Sequence, residues 1–184
     1  MKIITVTGYK SMELGIFNES DEKITYIKKS IENRLIGLIE EGLEWVLTSG
    51  QLGVELWTVE VLIELQKTYD IKFAIIPAFE NHHSRWPDEL KIKYSELIQA
   101  ADFYDAIYLG DYKGPYQFQK RDLWFIEKSD ACLILMDPDY PESTYYFHKL
   151  AEQTNDYPIM YITPSDIEEA VEEIAMLDPD YWIQ

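Results

Sequence analysis

The segment Ser49-Gly50-Gln51-Leu52-Gly53-Val54-Glu55 places small residues and a carboxylate just ahead of a helical pattern. Gly50 and Gly53 would let the backbone approach a ligand, and the amides of a first helical turn point outward, as in an anion or phosphate cradle. The same spacing also suits a tight strand-to-helix turn that needs glycine for steric reasons alone. Glu55 falls in the first turn, where its charge complements the helix dipole. It could equally accept ribose hydroxyls or act as a general acid or base. Gly8, Tyr9 and Lys10 form a second turn after an apolar run, with Lys10 able to neutralise a phosphate. Gln117, Lys120 and Arg121 open a later helical stretch after Gly114-Pro115 and could form an opposite wall or a solvated helix start. Trp57, next to the glycine turn, could stack on a base or pack in the core, whereas Trp124 suits the core.

Other chemistries find less support. Neither a G-x-G-x-x-G nor a G-x-x-x-x-G-K-[ST] pattern is present. His82 and His83 are adjacent, so their side chains diverge, and they read as surface-loop residues rather than metal ligands. Cys132 stands alone, which excludes disulfides and a cysteine-rich zinc site. It falls in an apolar strand and reads as a buried, inert thiol.

These residues need elements to hold them. Short apolar strands are expected at Lys2–Thr7, Leu43–Thr48, Lys72–Ile76, Phe103–Leu109, Ala131–Met136 and Ile159–Ile162. Between them lie helical patterns. Ile24, Ile27, Ile31, Leu35 and Leu38 mark one face, with Ser20 as N-cap and Gly42 as the terminating glycine. Further helices are expected at about Leu52–Tyr69, Pro87–Ala101, Gln117–Lys128, Ser143–Gln153 and Ser165–Met176. Continuous apolar strands alternating with amphipathic helices imply a doubly wound, Rossmann-like α/β fold with a mostly parallel sheet and helices on both faces. Ligands bind such sheets at the carboxyl ends of the strands, where the turns above fall.

Composition bounds the rest. The chain has 184 residues, 47% hydrophobic, which suits a single domain spanning 1–184. Lysine and arginine number 16 against 34 aspartate and glutamate, a net charge of −18. Such a balance opposes nucleic-acid binding, which needs clustered cations. From Asp130 onward thirteen acids meet one base, which reads as a solvated acidic flank or a docking surface for a basic partner. The apolar run at the start is too short for a signal peptide, and no stretch is long enough to span a membrane. A cytoplasmic protein without membrane insertion is expected.

Thr7-Gly8-Tyr9-Lys10, Glu13-Leu14-Gly15-Ile16-Phe17, the segment from Ser49 to Trp57 and the stretch from Gln117 to Asp130 together resemble the YpsA-like proteins of Gram-positive bacteria. These belong to the SLOG superfamily, which includes DprA-like and LOG proteins. The resemblance implies a Rossmann-like fold and a nucleotide-derived ligand, of the NAD or ADP-ribose type, with no cofactor required. It implies a sensor or binding role, with a cell-division protein as partner. The alternative it carries is hydrolysis of the N-glycosidic bond of a nucleoside monophosphate, as in LOG proteins, with Glu55 as the candidate catalytic group. The LOG signature Pro-Gly-Gly-x-Gly-Thr-x-x-Glu has no counterpart here. The chain departs from the wider pattern in other ways. Lys10 stands where arginine is usual, and Asp122 follows Arg121 where DprA-like proteins carry asparagine. Glu142-Ser143-Thr144-Tyr145 replaces a Gly-Ser-Pro-Lys-Tyr run.

Overall fold

Alternation of side chains along short strands gives this sheet two different faces. The computed structural model describes residues 1–183. Strands β1 (Ile3–Gly8), β2 (Trp45–Thr48), β3 (Lys72–Ile75), β4 (Phe103–Tyr104), β5 (Ala131–Leu135) and β6 (Ile159–Ile162) pair in the order β4-β3-β2-β1-β5-β6, all parallel. Among the described residues six α-helices connect or follow them: α1 (Glu22–Glu40), α2 (Val54–Leu65), α3 (Asp88–Ala100), α4 (Tyr116–Lys128), α5 (Tyr145–Glu152) and α6 (Pro164–Met176). The fold is Rossmann-like α/β. The chain winds outward from β1 to β4 and then crosses back to lay β5 on the other side of β1. The strand order therefore reverses between β1 and β5, the place where such sheets open a crevice.

Ile4 and Val6 of β1 join one core with Ile27, Ile31 and Leu35 of α1 and Val54, Val59 and Leu62 of α2. On the opposite face Phe125 of α4 and Phe147 of α5 pack with Cys132 and Ile134. The alternate residues of β1 on that second face are Thr5 and Thr7, and Thr5 Oγ1 lies 2.9 Å from Ser129 Oγ at the end of α4. A sheet face that carries threonines under two helices leaves polar lining where the helices part. All five residues of β5 are buried, as its apolar run implies. Burial pushes the Cys132 thiol up to about 12.

Several boundaries differ from expectation for local reasons. Asp21, not Ser20, caps α1: its carboxylate accepts from the Lys23 amide at 2.9 Å, while the Ser20 hydroxyl turns to Asn18. At the other end Gly42, at φ 109°, closes the helix with its amide on Ile39 O and the Leu43 amide on Leu38 O, as a glycine C′ residue should. The fourth strand is only Phe103–Tyr104, not Phe103–Leu109. Its neighbour continues into Pro77, which has no amide to donate, so the regular ladder stops. Beyond it the Ile107 amide still reaches Pro77 O at 2.9 Å. The helix expected at Leu52–Tyr69 is shorter at both ends, with Gly53 at φ 107° before its first residue. A 3-10 turn, Glu142–Thr144, precedes α5.

The His82–His83 pair is not a simple surface feature. The His82 ring stacks edge-on with Phe79, Trp86 and Tyr94, and its Nε2 lies 2.7 Å from the Tyr94 hydroxyl. Burial, helped by the charges of His83 and Arg121, holds it down to about 3. No helix among the described residues is long and apolar enough to cross a membrane. Nor do histidine, cysteine, aspartate or glutamate side chains gather in threes that could hold a metal there.

Candidate functional site

A cavity of about 450 Å³ opens at the strand-order reversal. Such a volume falls within the range of small-molecule sites. Thr5, Val6, Thr7 and Gly8 of β1 form its floor. Lys10, Ser49, Gln51 and Glu55 line one side. Phe118, Arg121, Asp122 and Phe125 of α4 line the other, and Ser143, Thr144, Tyr146 and Phe147 come from the segment around α5. Four charged side chains face this space, two cationic and two anionic.

Glu55 is nearly fully buried. Its Oε1 accepts from the Ser49 amide at 3.1 Å and from the Thr48 hydroxyl at 3.3 Å. The Ser49 hydroxyl also donates to Oε1 and lies 3.2 Å from Oε2, and the Thr7 hydroxyl reaches Oε2 at 3.4 Å. The carboxylate thus ties the ends of β1 and β2 to the first turn of α2. Hydrogen bonds of this kind offset the cost of burying a charge.

Across the cavity, Arg121 donates from Nε and Nη2 to the same oxygen of Asp122, Oδ1, at 3.1 and 3.0 Å. Its guanidinium also sits 5.2 Å from the centre of the Phe118 ring. The Asp122 side chain is 9% exposed. Burial pushes its carboxyl above the usual range; Arg121 opposes this and Glu55 adds to it. Asp122 occupies a position that sequence reasoning treated as a departure from asparagine rather than as a site residue. Its helical position beside Arg121 was visible, but its turn toward the cavity depends on how α4 docks.

Of the residues expected to contact ligand, Gly8, Lys10, Ser49, Gln51, Glu55 and Arg121 line the cavity. Five do not, and each has another task. Trp57, on α2, is 2% exposed and belongs to the same core as the buried face of α1, so the stacking reading is corrected. Gln117 is wholly buried; its side chain accepts from the Lys113 amide at 2.8 Å and donates to Asp111 O at 3.3 Å, bracing the turn before α4. Gly50, at φ 80°, faces Ile75 and Tyr94, where a Cβ would come within 2.9 Å of Ile75 Cγ2. Gly53 meets the backbone of the first turn: a Cβ there would lie 2.6 Å from Tyr9 O and from the Ser11 amide nitrogen. The Val54 amide donates to Tyr9 O at 3.1 Å, so the chain itself takes one outward amide of the expected cradle.

Tyr9 acts on the cavity mouth from outside. Its hydroxyl accepts from the Asp137 amide at 2.8 Å and donates to Tyr140 O. Glu13 makes a second clasp: it accepts from the Lys10 amide and the Ser143 amide, both at 2.8 Å, and from the Ser143 hydroxyl. These bonds hold the Ser11–Leu14 turn against the segment before α5. Sequence reasoning missed Glu13 and Ser143, because their partnership spans most of the chain.

The model of the YspA SLOG family matches residues 4–167. A UPF0398 protein of Oceanobacillus iheyensis is 55% identical over 183 residues, 99% of this chain and 100% of its own length. The UPF0398 protein YpsA of Bacillus subtilis is 43% identical over 177 residues, 94% of this chain and 98% of its own. A UPF0398 protein of Staphylococcus aureus is 44% identical over 151 residues, 82% and 81% of the two chains. Matched across nearly all of its elements, the chain belongs to the YpsA family of SLOG proteins.

Proposed function

We propose that this protein is a non-catalytic sensor that binds a nucleotide-derived ligand of the NAD or ADP-ribose type in the cavity between β1 and α4, and acts through protein partners. The observation that carries the reading is the cavity itself. It lies at the strand-order reversal of a Rossmann-like sheet, has threonine hydroxyls on its floor and carboxylates on its sides, and offers Phe118 and Tyr146 as aromatic walls. Glu55 and Asp122 supply acceptors for ribose hydroxyls, and Lys10 supplies a cation for a phosphate. The YpsA-like resemblance extends the reading to a partner in cell division. Hydrolysis draws less support, because the Pro-Gly-Gly-x-Gly-Thr-x-x-Glu signature of the LOG proteins has no counterpart in the chain. Calorimetric titration with NAD and ADP-ribose, together with mass spectrometry of small molecules released from the purified protein, tests the proposal. Saturable binding without turnover of the ligand is expected. No binding to either, with slow release of a free base from a nucleoside monophosphate, would replace the sensor with an enzyme.

A further inference from the structure

Asp122 breaks the pattern of a phosphate-binding wall. Among the described residues Arg121 is the one guanidinium lining the cavity, and two of its N–H groups are turned onto Asp122 Oδ1. Both bonds end on one oxygen. Among the described residues no donor reaches Asp122 Oδ2, although the side chain is more than nine-tenths buried and lines the cavity. A carboxylate oxygen that lines the cavity with no donor of the chain upon it is an acceptor open to a donor or a positive charge from the ligand. The charges around the cavity are also balanced, Lys10 and Arg121 against Glu55 and Asp122, in a molecule of net charge −18. A polyanion gains little from such a site, whereas a ligand that carries its own cation beside its phosphates is matched by it.

We infer that Asp122 is a specificity-determining residue that makes the cavity select the oxidised nicotinamide dinucleotide over its reduced form and over ADP-ribose. The inference rests on the dinucleotide reading above and deepens it. The oxidised form is singly anionic overall because its pyridinium ring is positive. The reduced form and ADP-ribose bring the same pyrophosphate without that charge. A pyridinium near Oδ2 meets the unfilled acceptor and compensates the second buried carboxylate.

The experiment is calorimetric titration of the full chain with NAD⁺, NADH and ADP-ribose, on the wild type and on Asp122→Asn. Asparagine keeps the shape and removes the charge, and it frees Arg121 toward the phosphates. The wild type is expected to bind NAD⁺ about tenfold more tightly than either of the others, the size of one charge-assisted contact. Asp122→Asn is expected to bring the three within about twofold of one another, with ADP-ribose binding more tightly than before. Equal wild-type affinities for NAD⁺ and NADH would overturn the inference, and need no variant to be folded. So would an Asp122→Asn protein with an unchanged melting temperature that kept the wild-type preference. Binding of all three at equal strength overturns only the role of Asp122, whereas binding of none overturns the dinucleotide reading and the inference with it.

Discussion

Glu55 and Gly53 stand two residues apart, yet the structure gives them different kinds of constraint. Glu55 faces the cavity and also accepts from the buried Ser49 amide. Alanine at 55 would leave that amide and the Thr48 and Ser49 hydroxyls without their acceptor, at about 1–3 kcal/mol. Glutamine keeps an acceptor oxygen. Glu55→Gln is therefore expected to melt close to the wild type while binding ligand roughly ten- to a hundredfold more weakly, as loss of a charged hydrogen bond would give. Melting and titration together check this, and unchanged affinity would remove Glu55 from the ligand. Gly53→Val is a different case. Its Cβ would press into the backbone of Tyr9 and Ser11 at 2.6 Å, and φ is 107° there. The variant is expected to lose cooperative melting or fall by several kcal/mol, so that loss of binding in it says nothing about phosphate. Glu142 offers a gain. It sits at φ 49°, in the left-handed region where glycine is unstrained. Glu142→Gly should relieve left-handed strain of about 1 kcal/mol and raise the melting temperature by about 2–4 °C. A melting temperature that stays the same or falls would count against strain at this position.

At the scale of elements, the segment between β3 and α3 is the place where acid should act. His82 is enclosed by Phe79, Trp86 and Tyr94 and is held down to about 3, far below the usual histidine value of about 6.5. A depressed folded value means that the unfolded chain binds the proton more readily. The stability tied to neutral His82 is present above about pH 6.5 and is lost as pH falls toward 3, at up to about 1.4 kcal/mol per pH unit. Denaturant titrations of wild type and His82→Gln between pH 7 and pH 4 read this directly. The variant, which has nothing to protonate, should show the shallower decline, and identical slopes would show that other groups dominate. That histidine lay in a segment that reads as loop. Its burial follows from Tyr94 on α3 folding back over it, a contact between elements that no local period announces. The strand–helix alternation, by contrast, was plain, because β5 is apolar on both faces and α1 repeats its apolar residues at helical spacing. The end of β4 was not, because its ladder depends on the partner strand reaching Pro77.

Charge works at the scale of the whole molecule. With a net charge of −18 and as many carboxylates as cations lining the cavity, duplex and single-stranded DNA should bind more weakly than about 1 µM at physiological salt. A gel shift with tighter, steeply salt-dependent binding would show that a local cationic path outweighs the global field. The parallel Rossmann-like sheet was legible from the residues alone, since buried strands separated by amphipathic helices have few other ways to cover both faces. So was one side of the cavity, because residues that follow the first two strands of such a sheet must emerge at its carboxyl edge: Gly8, Lys10, Ser49, Gln51 and Glu55 do so. What only the tertiary structure decided is which of the neighbouring residues turn inward. Trp57 goes to the core and Gln117 into a buried turn, while Asp122 and Ser143 reach the cavity. Helix rotation and docking set those directions, and both are fixed by packing between segments far apart in the chain. The spacing of residues within one segment carries no record of that packing.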